Sequence, residues 1–190
     1  MTEQPPVYVA LLHHPVYDKN RKVVTTSITN IDVHDIARSC RTFGIEGFYV
    51  VTPVDALRSM ARRIVGHWRY GHGATYNPNR TDALDLVRLE RTLEGVEIDI
   101  EVETGKTPVL VATSARPQDG TGIGYEGLRE GLRESSEPHL LLLGTGWGLT
   151  DEVVARASWI LDPIHGPGEY NHLSVRAAAA VILDRLFGKR

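Results

Sequence analysis

Two glycine-rich stretches in the last third of the chain have the residue types expected of a ligand-binding edge. GTGWG at residues 144–148 follows an apolar run at 140–143, and IHGPGEY at residues 164–170 follows a second run at 159–162. Such loops expose backbone amide and carbonyl groups with little side-chain cover. Because open α/β sheets bind ligands outside the carboxyl ends of adjacent strands, both loops are predicted to line one site.

The charges beside the first loop indicate which ligand fits. Asp151 and Glu152 fall in the first turn of the next predicted helix, where carboxylates suit the positive end of the helix dipole. The same carboxylates would repel a pyrophosphate, so a cationic or zwitterionic ligand is favoured. The two loops can hydrogen-bond the edge of a purine, with Leu143, Ile164 and Leu173 against its faces. Two ordinary strand-to-helix turns are the alternative interpretation.

An arginine-rich segment has a composition suited to nucleic acid. Arg58, Arg62 and Arg69 fall on one side of a helix predicted at residues 53–70, which runs into the stretch HWRYGHGATYNPNR ending at Arg80. Basic side chains neutralise phosphates and aromatic rings stack on unpaired bases, so these arginines are predicted to bind RNA. A solvated helix face, followed by a loop packed on its own aromatic residues, is the alternative.

The chain also contains a literal GxGxxG at residues 122–127. A dinucleotide-binding fingerprint requires these glycines directly after a strand and an acidic residue at the end of the next strand. Eight residues separate Thr113, the end of the preceding predicted strand, from Gly122, and the next strand ends at Gly144 without an acid. The segment is therefore predicted to be a flexible or lid loop, and a nicotinamide-dependent oxidoreductase is kept as an alternative function.

Composition narrows the class of protein. The 190 residues are 42% hydrophobic, enough to bury the core of one domain spanning residues 1–190. The net charge of −3 creates no overall positive field, so an RNA contact needs a local basic patch. Cys40 is the only cysteine, which excludes an internal disulfide and a multi-cysteine zinc site, and no metal site is predicted. Without a secretion signal or a run of roughly 20 apolar residues, we expect a soluble cytoplasmic protein with no membrane partner.

These segments must be positioned by an α/β fold. Strands alternating with helices predict a mostly parallel sheet of five or six strands with helices on both faces. Residues 92–104 fit either an alternating strand or a helix, and the helix is favoured because parallel strands need a crossover there. Asn30, Pro53 and Asn171 are predicted to start helices, and residues 18–29 are predicted to form a loop. The predicted strands are 7–13, 47–52, 86–89, 109–113, 140–143 and 159–162.

The C-terminal motifs resemble those of a known family. LLLGTGWGL, followed by ILDPIHGPGEYNHLSVRAAAAVIL, resembles motifs two and three of the SPOUT superfamily of S-adenosylmethionine-dependent RNA methyltransferases. Asn30 and Arg38, on the helix after the first strand, resemble its motif one. YNHLSVRAAAAVILDRL is similar to a small bacterial SPOUT group that resembles the tRNA guanine-N1 methyltransferases and sometimes occurs fused to them.

The resemblance implies a fold, a cofactor and an oligomeric state. The C-terminal segment is expected to form a trefoil knot, the protein to be a homodimer, and S-adenosylmethionine to lie in the knot. Many members that methylate a ribose 2′-hydroxyl have a Glu in motif two where this chain has Thr145-Gly146-Trp147, so the acceptor can be a base nitrogen or a 2′-hydroxyl. The cofactor-binding residues that the resemblance implies are Thr113, Ser114, Leu143, Gly144, Thr145, Gly148, Ile164, Asn171 and Leu173.

Three residues are candidates for the chemistry on the RNA. Arg38, paired with Asn30 in motif one, is expected near the acceptor, often reaching it from the partner subunit. An arginine pKa exceeds roughly 12, so Arg38 is predicted to position a phosphate or stabilise the developing anion rather than to act as a base. His172 is the better proton acceptor because histidine titrates near 6.5, and a purely structural role is its alternative. A protein that binds RNA without methylating it is the second candidate function.

Overall fold

Nine strands and eight helices make up the part of the chain that the computed structural model describes, residues 5–116 and 122–189. The strands are β1 (Val7–Leu12), β2 (Val16–Tyr17), β3 (Val23–Val24), β4 (Gly47–Val51), β5 (Val87–Glu90), β6 (Val109–Thr113), β7 (Gly122–Ile123), β8 (His139–Gly144) and β9 (Trp159–Leu161). The helices are α1 (Asn30–Thr42), α2 (Asp55–Arg69), α3 (His72–Tyr76), α4 (Pro78–Leu84), α5 (Leu93–Thr104), α6 (Tyr125–Glu134), α7 (Asp151–Arg156) and α8 (Val175–Phe187).

Seven strands form one parallel sheet in the order β5-β4-β1-β8-β6-β9-β7. Every residue of β1 is buried, which is typical of a parallel strand covered on both faces. The prediction of a mostly parallel α/β sheet is confirmed. The sheet has one strand more than expected, because residues of the GxGxxG segment form β7 at its edge.

Helices cover both faces of the sheet. α1, α2, α4, α6 and α8 pack on one face against strand residues such as Leu11 and Val50. α5 and α7 pack on the other face against residues such as Leu12 and Val51. Successive side chains of a strand point to opposite faces, so each central strand contributes to both cores. Within residues 5–116 and 122–189, none of these helices is long and apolar enough to span a membrane.

The ambiguous segment before β6 is a helix, as the topology predicted. In α5, Val96 and Ile100 lie four residues apart and are buried, whereas Ile98 and Val102 are exposed. The alternation of apolar residues there does not reflect a strand. The crossover that joins parallel strands determines the structure of this segment.

Three predicted helix starts are wrong by a few residues. Thr29, not Asn30, caps α1, since its hydroxyl accepts a hydrogen bond from the amide of Asp32 at 3.2 Å. α2 begins at Asp55 rather than at Pro53. Ser174 caps α8, whereas Asn171 donates from its side-chain amide to the carbonyl of Ala115 at 2.7 Å. Asn171 therefore holds two loops together instead of starting a helix.

The expected exposed arginine stripe on α2 is wrong. Arg58 is 3% exposed and donates hydrogen bonds to the carbonyl of Thr52 and the carboxylate of Asp55. Arg69 donates to the carbonyls of Leu84, Asp85 and Val87 at 2.8–3.1 Å. Both guanidinium groups satisfy backbone oxygen atoms within the fold, so helical spacing alone placed them incorrectly. Of the three stripe residues, Arg62 is exposed on α2 as predicted.

The buried position of Arg58 leads to a prediction about stability. Arg58→Met keeps the length of the side chain but leaves the Thr52 carbonyl without its donor, so we expect the free energy of unfolding to fall by about 1–3 kcal/mol. Arg62→Met on the exposed side of the same helix serves as the control and should change it by less than about 0.5 kcal/mol. Equilibrium urea denaturation measures both, and equal losses in the two variants would contradict the assigned role of Arg58.

Candidate functional site

A cavity of about 790 Å³ opens at the carboxyl ends of β6, β8 and β9. Its volume lies within the roughly 300–1,000 Å³ of typical small-molecule and cofactor sites. Parallel pairing brings these strand ends to one edge of the sheet, where both glycine-rich loops leave it. The predicted meeting of the two loops therefore occurs, and this cavity is the main candidate site.

The first wall is the loop after β8. Gly144, Thr145 and Gly148 line the cavity, together with Leu143 at the end of the strand. A Cβ atom on Gly144 would lie 2.7 Å from the backbone nitrogen of Leu149, so only glycine fits this close approach. Gly148 has φ of +103°, a backbone conformation that other residues rarely adopt. The tight turn exposes backbone groups to the cavity.

The second wall comes from the segment between β9 and α8. Ile164, His172 and Leu173 line the cavity, and so do Thr113 and Ser114 from the end of β6. Of the nine residues that the resemblance implied for cofactor binding, eight line the cavity. The ninth, Asn171, does not line it and bonds to the neighbouring loop instead.

The third wall was missed by the sequence analysis. Thr26 and Ser27, from the predicted loop at residues 18–29, line the cavity together with Tyr17, which precedes that loop. The antiparallel pair of β2 and β3 lies in this region. The Tyr17 amide donates to the carbonyl of Gly148 at 3.0 Å, and the Trp147 amide donates to the carbonyl of Tyr17 at 2.9 Å. Partners about 130 residues apart leave no local pattern that could have revealed this wall.

A chain of three hydrogen bonds ties the first and third walls to β1. The Thr145 hydroxyl donates to the carbonyl of Leu12 at 2.9 Å and so accepts from the Thr26 hydroxyl at 2.5 Å. Thr26 has one proton, so it in turn accepts from Nδ1 of His13 at 3.0 Å. The chain therefore requires the proton of neutral His13 to be on Nδ1. Burial lowers the pKa of His13 from 6.5 to about 4, so the ring is neutral at physiological pH.

Ion pairs neutralise acidic groups at the cavity. The Asp151 carboxylate lies 2.7 Å from the Arg21 guanidinium, and the Asp32 carboxylate lies 3.2 Å from that of Arg176. The sequence argument for a cationic ligand counted Asp151 as an uncompensated charge and is wrong on that point. The partner, Arg21, lies 130 residues away in sequence.

A second, smaller cavity contains the motif-one residues. It has a volume of about 430 Å³ and is lined by Asn30, Ile31, His34, Asp35, Arg38, His67, Trp68 and Arg80. Neither Asn30 nor Arg38 lines the main cavity. Arg80, predicted to bind RNA, lies with Arg38 rather than with the α2 arginines. The three candidates for chemistry are thus divided, with His172 at one cavity and Asn30 and Arg38 at the other.

The GxGxxG segment is in part outside the described residues. Residues 117–121 of the expected lid loop are among those not described, whereas Gly122 and Ile123 form β7, parallel to β9. α6 begins at Tyr125, directly after the second glycine of the pattern. Gly122 and Gly124 lie close to the Asp162 side chain, where a Cβ on Gly122 would be 2.9 Å from a carboxylate oxygen. Close packing at the sheet edge accounts for Gly122, whereas a Cβ on Gly124 would lie 3.6 Å from Asp162, an ordinary contact distance.

Sequence comparison identifies the family. A profile of the family described as SAM-dependent RNA methyltransferase matches residues 6–188. The chain belongs to this family. The resemblance to SPOUT methyltransferases and the prediction of S-adenosylmethionine as cofactor are confirmed.

Individual relatives agree with this assignment. An uncharacterized protein of Aquifex aeolicus is 43% identical over 183 residues, covering 96% of this chain and 89% of the relative. A tRNA (guanine-N(1)-)-methyltransferase of Oleidesulfovibrio alaskensis is 47% identical over 182 residues, covering 96% of this chain but 42% of the relative. The chain thus spans less than half the length of that methyltransferase.

Solved structures share the fold at low sequence identity. The SpoU methyltransferase AviRb of Streptomyces viridochromogenes, in complex with the cofactor AdoMet, is 17% identical with a TM-score of 0.60, covering 98% of this chain and 58% of that one. TrmJ of Z. mobilis is 18% identical with a TM-score of 0.59, covering 96% of this chain and 68% of that one. These likenesses support the SPOUT-type sheet.

The main cavity fits S-adenosylmethionine. Leu143, Ile164 and Leu173 supply apolar surface for a purine, and the turn at Gly144 and Gly148 supplies backbone polar groups beside it. Because residue 144 is glycine, no side chain at that position fills the space beside the turn.

The close approach at Gly144 leads to a prediction about cofactor affinity. In Gly144→Ala the new methyl group collides with backbone, so the turn must shift and the affinity for S-adenosylhomocysteine should fall at least about tenfold. Gly168→Ala is the control, because nothing lies within 4 Å of a Cβ there. Isothermal titration calorimetry measures both affinities, and equal affinities would disprove the role of the turn.

The buried neutral His13 leads to a prediction about pH. His13 takes up a proton near pH 6.5 when the chain is unfolded but only near pH 4 when it is folded, so the free energy of unfolding should fall as the pH drops through this window. The lowered pKa of His13 corresponds to a decrease of up to about 3 kcal/mol in the free energy of unfolding. His13→Asn retains an amide donor near Nδ1 but does not titrate, so it should lack this part of the loss. Urea denaturation between pH 7 and pH 4 tests this, and parallel pH profiles would contradict it.

Proposed function

We propose that this chain transfers a methyl group from S-adenosylmethionine to tRNA. The observation that carries the proposal is the main cavity, lined by eight of the residues that the SPOUT motifs imply for cofactor binding. RNA as the substrate class follows from the family. tRNA is favoured within that class because relatives 47% and 42% identical to this chain bear the name of tRNA methyltransferases. Their guanine-N1 acceptor is not carried over, since the matched segment is 42% of each.

Each wall of the main cavity is assigned a different part of the cofactor. Leu143, Ile164 and Leu173 would enclose the adenine, and the backbone of the turn from Gly144 to Gly148 would hydrogen-bond its edge. Thr113 and Ser114 would lie beside the methionine portion. S-adenosylmethionine supplies a methyl group made electrophilic by its positively charged sulfur.

The acceptor must be positioned in line with the methyl group and must lose a proton. His172 lines the main cavity and is exposed, so its imidazole can reach an incoming acceptor. We assign it the role of proton acceptor. Arg38 positions a phosphate or stabilises the developing anion, and Asn30 lines the same cavity.

We infer a homodimer in which Arg38 and Asn30 act at the partner's main cavity. Neither residue lines the main cavity of its own chain, and in a dimer they would reach the acceptor at the main cavity of the partner. Ile31 and Leu173 flank the two cavities and are 58% and 48% exposed, which provides apolar surface for such an interface. The alanines at 177–180 allow α8 to approach another backbone closely.

The remaining proposals concern architecture and location. We propose a trefoil knot, in which the segment before α8 threads beneath the loop after β6. The hydrogen bond from Asn171 to Ala115 between these segments supports it, as does the packing of α8 on α1. We further propose that residues 1–190 form one domain that works in the cytoplasm, where tRNA is modified.

A protein that binds RNA without methylating it is the second candidate function. The observation in its favour is Thr145, which occupies the motif-two region where many 2′-O-methylating members have a Glu. The Thr145 hydroxyl is engaged by Leu12 and Thr26, so it is not available to an acceptor. If the methyl group is transferred, the acceptor, whether a base nitrogen or a 2′-hydroxyl, therefore loses its proton to His172.

Transfer of labelled methyl groups to bulk tRNA tests the proposal, and mass spectrometry of the digested nucleosides identifies the acceptor. Arg38→Ala should reduce transfer at least about a hundredfold, the scale on which a positioning or charge-stabilising group contributes. S-adenosylhomocysteine affinity should stay within severalfold, because Arg38 lies outside the main cavity.

Arg41→Ala is the matched control, since Arg41 is exposed on the same helix and lines neither cavity. Binding of RNA and cofactor without any transfer would favour the second candidate. A large loss of cofactor affinity in Arg38→Ala would refute the position assigned to Arg38.

A further inference from the structure

The second cavity has the features of an anion site. α1 contributes His34 and Arg38, α2 contributes His67 and Trp68, and Arg80 comes from α4. Three helices thus bring two arginines and two histidines around a volume of about 430 Å³. This arrangement depends on tertiary packing, since the residues span positions 34 to 80.

The arginines of this cavity are not neutralised within the described part of the chain. Residues 5–116 and 122–189 provide no ion-pair partner for Arg38 or Arg80. The Nε–H group of Arg80 is buried and has no hydrogen-bond acceptor among the same residues. Asp35, the acid of the cavity, lies 3.6 Å from Arg176 and is thus shared with another cation. A buried donor of this kind is free to bind an acceptor that enters the cavity, such as a water molecule or an anion.

The charges around His34 also favour an anion in the second cavity. Burial lowers the pKa of His34, and the positive charges of Arg80 and Arg38 lower it further, against the opposing effect of Asp35. Both guanidinium groups therefore act on the same point in the cavity. An anion bound there would be stabilised by both and would favour protonation of His34.

An aromatic platform adjoins the basic groups. The Arg80 guanidinium lies 4.5 Å above the ring of Trp68, and the rings of His34 and His67 meet Trp68 edge-on at 5.5 and 5.3 Å. The face of the guanidinium turned away from the indole is flat and delocalised. Proteins that bind single-stranded RNA stack bases on arginine planes of this kind.

We propose that the second cavity binds a backbone phosphate of the RNA between Arg38 and Arg80, with the adjacent base stacked on the outer face of the Arg80 guanidinium. The site rests on the proposed function, because RNA is the substrate assumed. It takes the place of Arg58 and Arg69 as RNA contacts, since both are engaged within the fold, whereas Arg62 remains exposed on α2. It also gives a chain of net charge −3 the local basic patch that RNA binding requires.

The test compares charge-matched variants in their binding of fluorescein-labelled bulk tRNA by anisotropy over a range of salt concentrations. Arg80→Gln should weaken binding about tenfold and reduce the slope of log affinity against log salt by about 0.7–0.9, the effect of one phosphate contact. His34→Glu should act in the same direction, because its carboxylate occupies the cavity between the two arginines. Arg133→Gln is the control, since this exposed arginine on α6 lines neither cavity and its loss changes the net charge equally.

Calorimetry with S-adenosylhomocysteine separates this proposal from the proposed function. All three variants should keep the cofactor affinity of the unchanged protein within about twofold. If the unchanged protein does not bind S-adenosylhomocysteine, the proposed function fails, while the salt slopes still report on the second cavity. If Arg80→Gln disturbs folding and lowers the cofactor affinity, the tRNA affinity of His34→Glu tests the proposal instead. This substitution adds ion pairs on a partly exposed helix face.

The proposal is overturned if Arg80→Gln and His34→Glu weaken tRNA binding no more than Arg133→Gln does. A competition with inorganic phosphate at constant ionic strength distinguishes a free anion from RNA. The NMR shift of the Trp68 indole N–H detects phosphate binding in the cavity. If phosphate binds there but the variants do not change the affinity for tRNA, the proposal is also overturned. Displacement of tRNA by a short oligonucleotide far more readily than by inorganic phosphate supports the RNA site.

Discussion

The turn that leaves β8 at Gly144 is the constraint on which the site depends. β8 lies between β1 and β6 in the sheet, so its carboxyl end opens at the middle of one edge. The chain then reverses so tightly that a Cβ on Gly144 would meet the backbone of Leu149 at 2.7 Å. This compact turn leaves the space that the second and third walls enclose. A side chain at this position would occupy the turn and displace the loop.

The wall from residues 13–29 makes the cavity a single cooperative unit. A hydrogen-bond chain joins His13, Thr26 and Thr145, and it includes a buried neutral histidine. The ion pair between Arg21 and Asp151 adds a further link between this wall and the start of α7. The pH-dependent stability and the shape of the cavity therefore depend on the same contacts.

The main cavity is proposed to bind the cofactor, and the second cavity is proposed to bind the substrate. The main cavity combines apolar surface with backbone hydrogen-bonding groups, and two of its acids, Asp32 and Asp151, are paired with arginines, which suits a zwitterionic cofactor with a purine. The second cavity combines uncompensated arginines with an aromatic platform, which suits a phosphate and a base. In the proposed homodimer, the second cavity of one protomer faces the main cavity of its partner. A methyl donor and an RNA acceptor would then meet only in the assembled protein.

The sequence alone determined the sheet, the two glycine-rich loops and the family, because these depend on local composition and on motifs of consecutive residues. Buried apolar runs specify strands, and Gly144 and Gly148 are required wherever the turn forms. Tertiary structure alone decided which arginines remain available, since Arg58 lies inside the fold whereas Arg80 lies at a cavity. It also decided the third wall and the pairing of Asp151 with Arg21. The physical reason is that hydrogen bonds and ion pairs between residues about 130 positions apart leave no trace in local periodicity.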